Sequence, residues 1–445
     1  MKQQIQRNIE SKIAAAARAV LARYKPSVIA ITGSVGKTSS KDAIAAVLAQ
    51  RESVRASEGN YNNELGLPLT ILGERSPGRS VLGWWKLLRR ADKLARGGEQ
   101  SYPKVLILEM AMDHPGDLAK LALIAKPDIS VVTNVGESHL EFFPDVAAIA
   151  QEKATIVKAL GPEGLAILNV DNEWTRKMGQ GTEAKVMTIG IEHEADIRGT
   201  EVHPTDQLPD AVLQDPTILK LRGLGLPLGT AFKISYQGKS VPVRLPRVLG
   251  NQQVYSALVA AAVGLRRGMN LVEISEALLH YVSPLGRMNL IAGLKNSLII
   301  DDTYNASPAS TIAALDVLAE LKPAGRRIAV LGDMAELGTA TESGHMAVGK
   351  RAASACDFAV FVGQKSKWAA QAAEAEGLVD QCQTQVMDSR QVEAVLQPVL
   401  RQGDVILVKG SQVMRMERVV KALMAEPEQA STLLVRQTGL WENKV

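Results

Sequence analysis

The chain has 445 residues, of which 46% are hydrophobic and 22% charged, a balance typical of a globular protein with two or three domains. Its formal net charge of +4 is too small for nucleic acid to be expected as a partner. Cys356 and Cys382 form neither a disulfide framework nor a metal-site pattern, which predicts a reducing, cytoplasmic location. No apolar run approaches the ~18 residues that a membrane-spanning helix requires.

The first predicted element is an amphipathic helix over residues 1–26. Ile9, Ile13 and Val20 recur at helical spacing, charged residues interrupt the stretch, and Pro26 ends it. These interruptions exclude a secretory signal peptide, which needs a continuous apolar segment.

A glycine-rich turn follows the apolar run 28–32, which predicts a buried strand, and leads directly into a helical pattern. Such a strand–loop–helix unit cradles phosphates, because N–H groups at a helix N-terminus attract anions. The turn is shorter than the common form, so an ordinary strand–helix turn is the alternative. Lys37 is expected to reach the outer phosphates of a nucleoside triphosphate, and Thr38 to face Mg²⁺. The predicted nucleotide-binding residues are Gly33, Ser34, Val35, Gly36, Lys37, Thr38 and Ser39.

Strand and helix patterns alternate along most of the chain, which predicts an α/β fold. We expect a central parallel-sheet, ATP-binding domain over residues 27–285 and a second, Rossmann-like α/β domain over 286–445 that ends in a polar tail. Within the first domain, residues 190–249 carry short alternating runs between prolines and glycines, which predicts a small antiparallel β subregion. Glu109 ends one strand of the predicted parallel sheet, at the edge where such sheets bind ligands.

Further segments occur in a fixed order after the phosphate loop. They are residues 59–70 (GNYNNELGLPLT), 108–110 (LEM), 133–141 (TNVGESHLE), 286–288 (GRM), 300–308 (IDDTYNASP), 331–338 (LGDMAELG) and 408–411 (VKGS). Together with the short phosphate loop, this set resembles the Mur ligase family from about residue 28 to residue 424. The IDDTYNASP and LGDMAELG segments are most similar to the branch of the family that adds D-alanyl-D-alanine.

The resemblance implies an ATP-dependent amide ligase of peptidoglycan biosynthesis. In this family a carboxylate of a cell-wall precursor attacks the γ-phosphate of ATP, and the amine of an amino acid or dipeptide then displaces phosphate from the acyl phosphate. The reaction brings several anionic oxygens together, which is why it needs cations and oriented dipoles.

The resemblance also assigns roles to individual residues. Thr38 and Glu109 match ligands of one Mg²⁺, and His139 matches a ligand of a second Mg²⁺. Lys153 matches a lysine that is carbamylated in the family, although a helical lysine is ordinarily just solvated. The expected catalytic residues are Lys37, His139, Lys153 and Arg287. The expected nucleotide-binding residues of the second domain are Arg287, Asp302, Tyr304 and Asn305.

Two features depart from the family pattern. Only the helix over residues 1–26 precedes the phosphate loop, where this branch carries a domain that grips a UDP-sugar. We therefore expect the donor to be presented by a partner chain, or to lack UDP. Near the expected adenine site, Gln252, Gln253 and Ser256 replace a His-Asn pair and a second Asn, and these side chains can still form hydrogen bonds.

Residues 81–96 form an insertion that predicts a basic amphipathic helix. Its apolar face comprises Trp84, Leu87, Leu88, Ala91 and Ala95, and its basic face comprises Lys86, Arg89, Arg90, Lys93 and Arg96. Such a helix suits a membrane surface or an acidic partner, which would make the protein peripheral to the membrane. The equally weighted alternative is a helix packed on its own domain with a solvated basic face.

Two other functions remain open from the sequence alone. The chain could be an ATP-binding subunit or scaffold without independent ligase activity, although a scaffold would not need both Glu109 and His139. It could also ligate a different substrate, such as an amino acid onto a polyglutamate-like chain, which the IDDTYN segment disfavours.

Overall fold

The computed structural model describes residues 2–59, 61–98, 101–137 and 141–437, without the side chains of residues 2–8 and 380. The chain divides into two compact units. The first comprises Met1–Glu201, Phe232–Val243 and Val254–Tyr281, and the second comprises Val202–Ala231, Arg244–Gln253 and Val282–Val445.

A nine-stranded sheet has the strand order β2-β3-β1-β4-β5-β6-β7-β8-β9. Each neighbouring pair from β2 through β7 is parallel. The strands are β1 (Ser27–Thr32), β2 (Val54–Ala56), β3 (Val105–Glu109), β4 (Ile129–Val132), β5 (Leu165–Asn169), β6 (Lys185–Gly190), β7 (Ile197–Thr205), β8 (Gly229–Tyr236) and β9 (Lys239–Pro246). The parallel sheet predicted around the phosphate loop is therefore confirmed.

Strands β8 and β9 form the predicted antiparallel subregion. They are neighbours in the sheet and are joined by Gln237 and Gly238, whose φ angles are 48° and 75°. Two consecutive left-handed residues make the tight turn that reverses a chain into a β-hairpin. Strand β7 lies next to β8 in this sheet and pairs in parallel with β6 on its other side.

Among the described residues, the helices up to Leu278 are α1 (Lys2–Tyr24), α2 (Lys37–Leu48), α3 (Gly66–Leu72), α4 (Val81–Ala95), α5 (Asp117–Ile124), α6 (Val146–Lys158), α7 (Glu173–Met178), α8 (Asp210–Leu213), α9 (Pro216–Arg222), α10 (Asn251–Arg266) and α11 (Leu271–Leu278). Helices α8 and α9 belong to the second unit, and the others lie wholly or mostly in the first. Local caps explain several of their starts. Asp145 accepts a hydrogen bond from the Ala148 amide at the start of α6, and Asn270 and Glu273 form a capping box at the start of α11.

The N-terminal helix α1 is part of the core of the first unit. Ile13 and Val20 are fully buried, and Ile9 packs against the same cluster, as the helical spacing predicts. No helix among the described residues is long and apolar enough to span a bilayer.

The second unit contains a six-stranded sheet of order β10-β11-β15-β12-β13-β14. Strand β10 is antiparallel to β11, and the remaining pairs are parallel. The strands are β10 (Asn289–Ala292), β11 (Leu298–Asp302), β12 (Arg327–Gly332), β13 (Phe358–Val362), β14 (Gln383–Val386) and β15 (Val405–Lys409), and the helices are α12 (Pro308–Glu320), α13 (Thr341–Ala355), α14 (Lys367–Ala375), α15 (Val392–Leu396), α16 (Glu417–Leu423) and α17 (Ala430–Leu433).

Both faces of this second sheet are buried. Along β11, Leu298 and Ile300 belong to one apolar cluster, whereas Ile299 belongs to another. Successive side chains of a strand point to opposite faces, so the two clusters cover the two faces of the sheet. A mostly parallel sheet covered on both sides is the doubly wound arrangement that the sequence predicts for this half of the chain.

Candidate nucleotide-binding and catalytic site

The phosphate loop lies between β1 and α2, as predicted. Ser34 and Val35 form the turn between Gly33 and Gly36, and Lys37, Thr38 and Ser39 form the first turn of α2. Gly36 immediately precedes the helix with a φ of 86°, a left-handed conformation that favours glycine. The Lys37 ammonium donates a hydrogen bond to the Gly33 carbonyl at 2.7 Å. The loop therefore presents the helix N-terminus and a lysine, the two features that attract phosphate.

Residues after β4 hold the loop in shape. The side-chain oxygen of Asn134 accepts a hydrogen bond from the Val35 amide at 2.8 Å, and the Asn134 carbonyl accepts one from Ser34 at 3.0 Å. The Thr133 hydroxyl donates to the Val35 carbonyl at 2.5 Å. A Cβ at Gly33 would lie 1.9 Å from the Thr133 hydroxyl oxygen, so only glycine fits there.

Thr38 and Glu109 meet beside the loop, as the Mg²⁺ assignment requires. The Thr38 hydroxyl donates to one Glu109 carboxylate oxygen at 2.9 Å, and the Asn62 amide donates to the other at 3.1 Å. Glu109 is only 4% exposed. Adjacent strands place these residues together, since Ile31 pairs with Glu109 in the register of β1 and β3.

Lys153 is not the solvated helical lysine of the alternative interpretation. Its side chain lies on α6 and is 1% exposed. Burial lowers the pKa of Lys153 well below its usual value, and repulsion from the Lys37 ammonium lowers it further, while Glu152 acts in the opposite direction. The charge of Lys37 at the phosphate loop therefore affects the protonation of Lys153 on α6.

His139 lies outside the described residues, so the structure gives no geometry for this predicted ligand of the second Mg²⁺. Among the residues that are described, no group of three or more His, Cys, Asp and Glu side chains is arranged to hold a metal ion. The Thr38–Glu109 pair fits Mg²⁺ even so, because Mg²⁺ in nucleotide sites takes one or two protein ligands together with phosphate oxygens and waters.

In the second unit, Arg287 and Tyr304 form a stacked pair. The guanidinium carbon of Arg287 lies 4.3 Å from the centroid of the Tyr304 ring. The Arg287 Nε is buried and has no hydrogen-bond partner among the described residues. The Tyr304 amide donates to the Gly286 carbonyl at 3.0 Å, and a Cβ at Gly286 would lie 2.9 Å from the Tyr304 nitrogen. An unsatisfied guanidinium N–H is the donor that an anionic ligand can accept from.

Asp302 and Asn305 flank Tyr304 and are both held by Lys409. The Lys409 ammonium donates to the Asp302 carboxylate at 2.5 Å and to the Asn305 carbonyl at 3.0 Å. Lys409 is 3% exposed, so its charge is used inside the unit. Asn305 is exposed, and its side chain accepts a hydrogen bond from the Ala306 amide.

Sequence reasoning missed Arg436, which lies in the polar tail. Its guanidinium donates to the Thr303 carbonyl at 3.2 Å and also to the Tyr304 carbonyl. It pairs with Glu417, a fully buried carboxylate on α16, at 2.9 Å. The guanidinium carbon also lies 5.8 Å from the Tyr304 ring. The tail therefore fixes the loop that carries Tyr304. No motif surrounds Arg436, so the only signal in the sequence was a basic residue in a polar segment.

The substitutions in the expected adenine segment have structural partners. The Gln253 amide donates to the Ser283 hydroxyl at 3.2 Å and to the Arg287 carbonyl at 3.3 Å. Ser256 is buried, and its hydroxyl lies 3.5 Å from that of Ser40 on α2. Gln253 therefore supports the turn that carries Arg287.

Comparison with known proteins supports the same family. The model of the Mur ligase middle domain matches residues 31–81 and 91–264, and that of the Mur ligase glutamate ligase domain matches residues 286–412. The UDP-N-acetylmuramoyl-tripeptide--D-alanyl-D-alanine ligase of Mycobacterium tuberculosis H37Rv is 34% identical over 438 residues, which cover 94% of this chain and 76% of the relative. The enzyme of the same name from Escherichia coli K12 is 32% identical over 399 residues, covering 89% and 76%.

Solved structures agree with this result. The crystal structure of MurF ligase from Thermotoga maritima in complex with ADP is similar, with 25% identity and a TM-score of 0.75 over 94% of this chain and 84% of that one. The predicted fold and enzyme class, an ATP-dependent ligase, are confirmed by these similarities. The chain belongs to the Mur ligase family.

Proposed function

We propose that this protein joins D-alanyl-D-alanine to the terminal carboxylate of a UDP-muramoyl tripeptide at the expense of ATP. The relatives that cover most of the chain bear the name of this reaction. The observation that carries the proposal is the phosphate loop with the Thr38–Glu109 pair beside it, because it provides an anion cradle and magnesium ligands in one place.

In the proposed reaction, a donor carboxylate oxygen bonds to the γ-phosphorus and ADP leaves. The dipeptide amine then attacks the acyl phosphate, and phosphate leaves as the amide forms. The loop amides and Lys37 hold the β- and γ-phosphates in both steps. Lys37 is positioned for this role, because its ammonium lies against the loop and donates a hydrogen bond to the Gly33 carbonyl at 2.7 Å.

Thr38 and Glu109 are proposed to hold one Mg²⁺. When bound, Mg²⁺ lowers the repulsion between the γ-phosphate and the incoming carboxylate. Asn62 keeps the Glu109 carboxylate oriented by donating to its second oxygen. A buried carboxylate fixed by two neighbours needs little rearrangement when the cation binds.

Lys153 is proposed to be carbamylated. A neutral amine is the form that adds to CO₂, giving a carbamate and releasing a proton, and burial favours the neutral form of Lys153. The carbamate is anionic, so it turns repulsion from Lys37 into attraction. With His139, it would supply ligands for a second Mg²⁺.

Arg287 is proposed to meet the ATP phosphates, with Asp302, Tyr304 and Asn305 beside the nucleotide. The unpartnered Nε and the stacking on Tyr304 support this assignment. A guanidinium held by an aromatic ring keeps its planar donors oriented for a phosphate.

The experiment is phosphate release measured with the donor, with and without D-alanyl-D-alanine. We expect release to depend on the dipeptide, and to fall by about 10²–10³-fold in Lys37→Ala and His139→Ala. Lys120→Ala, which removes an exposed lysine of α5, is the control and should retain full activity. ATP binding without dipeptide-dependent release would favour the scaffold, and full turnover in Lys37→Ala would refute the site.

A further inference from the structure

Helix α4 packs on the first unit through one face only. Leu87, Ala91 and Leu94 are buried in the core of that unit, and Trp84 and Leu88 pack against it. The Ser80 hydroxyl caps the helix by accepting a hydrogen bond from the Gly83 amide. The helix is therefore a fixed part of the fold, and its other face is available to a partner.

The outward face of α4 combines large apolar residues with cations. Val81, Leu82 and Trp85 are 83%, 60% and 52% exposed, although all three are strongly apolar. At four-residue spacing, the row that begins with Val81 and Trp85 continues into basic residues. The exposed basic residues of the helix and its C-cap are Lys86, Arg89, Arg90, Lys93 and Arg96.

Two contacts on α4 differ in kind. Arg90 pairs with Glu74 at 3.2 Å, so its charge is partly neutralised within the unit. The Arg89 guanidinium carbon instead lies 4.4 Å from the centroid of the Trp85 ring. Arg89 therefore stands beside the apolar residues and adds positive charge at their edge.

We propose that this face docks the protein onto an anionic membrane surface. Tryptophan and aliphatic residues in the first turn can enter the interfacial layer of a bilayer, while lysine and arginine side chains reach the phosphate groups. Three apolar side chains on one turn are too few for a stable protein interface of about 1,000 Å². A bilayer requires no matching shape, and its diffuse negative charge complements a dispersed set of cations.

Most of the docking face lies outside the part of the chain that the family model matches. The middle-domain model matches residues 31–81 and 91–264, so residues 82–90 lie outside it. Leu82, Trp85, Lys86 and Arg89 fall in that interval. The inference is independent of the proposed ligase reaction, because none of these residues belongs to the phosphate loop or its supports.

The test is co-sedimentation of the full chain with vesicles of phosphatidylcholine alone, or of phosphatidylcholine mixed with phosphatidylglycerol. We expect binding to the anionic vesicles only, with weaker binding as salt is raised. Leu82→Ala/Trp85→Ala and Arg89→Gln/Lys93→Gln should each weaken binding at least ~10-fold while dipeptide-dependent phosphate release is unchanged.

The matched control is Lys185→Gln/Lys239→Gln, which removes the same charge from exposed positions elsewhere. It should bind anionic vesicles like the unaltered chain. Circular dichroism checks that each variant is folded. The proposal is overturned if the unaltered chain does not bind anionic vesicles, if the control loses binding as strongly as the α4 variants, or if the α4 face instead drives self-association in sedimentation equilibrium.

Discussion

Replacing Gly33 with alanine tests the geometry of the phosphate loop. The new Cβ would lie 1.9 Å from the Thr133 hydroxyl oxygen, so Thr133 must move and give up its hydrogen bond to the Val35 carbonyl. The φ of Gly33 is 149°, where an alanine costs about 1–3 kcal/mol. The lost hydrogen bond adds about 0.5–1.5 kcal/mol. If the combined cost of the strain and the lost hydrogen bond reduces the free energy of ATP binding, the affinity for ATP falls at least ~10-fold.

A double-mutant cycle with Thr133→Ala separates the clash from the strain. Thr133→Ala alone removes the hydroxyl that donates to the Val35 carbonyl and lies 3.4 Å from the Thr32 carbonyl, a loss of about 0.5–1.5 kcal/mol. In Gly33→Ala/Thr133→Ala the closest clashing atom is gone and the hydrogen bond is not lost a second time. The double variant should therefore bind ATP no more weakly than Gly33→Ala alone.

The assay is calorimetric titration with ATP, accompanied by urea unfolding of each variant. Gly225→Ala is the control, because Gly225 has a φ of 65° but no atom within 4 Å of an added Cβ. It should lose some stability through backbone strain and leave ATP affinity unchanged. Losses that simply add in the double variant would refute the argument from the Gly33–Thr133 contact.

Three further predictions concern other parts of the site. Glu109→Gln should raise the Mg²⁺ concentration for half-maximal ADP formation at least ~10-fold, because Mg²⁺ would lose its carboxylate ligand. Arg436→Gln should raise the KM for ATP, since Tyr304 loses its anchor, and should lower unfolding free energy by about 1.5–3 kcal/mol in urea titrations. Burial raises the pKa of Asp301 to about 7 from the ordinary 3.8, so its contribution to stability is complete below pH 3.8 and is lost as pH rises to 7. At pH 8 this loss is roughly 4 kcal/mol, and Asp301→Asn should flatten the stability curve between pH 4 and 8.

Each of the three has a contrary outcome. An unchanged Mg²⁺ requirement in Glu109→Gln would show that Glu109 does not bind the metal. A destabilised Arg436→Gln variant with an unchanged KM for ATP would show that the tail stabilises the fold without affecting ATP binding. A loss of stability with rising pH that survives in Asp301→Asn would contradict the assignment to Asp301, because the lowered pKa of the buried His345 makes stability rise with pH instead.

Local sequence signals were sufficient for the phosphate loop and most of the sheets. The run 28–31 is apolar throughout and is followed by glycines and Lys37, so strand, turn and helix start are all encoded within a dozen residues. In the second unit, the alternation of strand and helix patterns predicted the α/β class. The parallel pairing of β7 with β6 could not be predicted in this way, because it depends on tertiary contacts.

Burial and long-range pairing limited prediction of the site. Nothing in the sequence around Lys153 shows that its ammonium is buried near the charge of Lys37, since this depends on how α6 packs. Arg436 reaches Thr303 across 133 positions of sequence. For helix α4, exposure rather than burial was missed. Its periodicity predicted the buried face, but only the structure shows that Val81, Leu82 and Trp85 remain exposed.

The central claim is that ATP activates a donor carboxylate at this loop. It is tested most directly by labelling the terminal carboxylate of the muramoyl tripeptide with oxygen-18 and analysing the released phosphate by mass spectrometry. We expect one labelled oxygen to move from the donor to phosphate in each turnover, only when D-alanyl-D-alanine is supplied. Phosphate without the label would contradict the claim, because the γ-phosphate would then have passed to water.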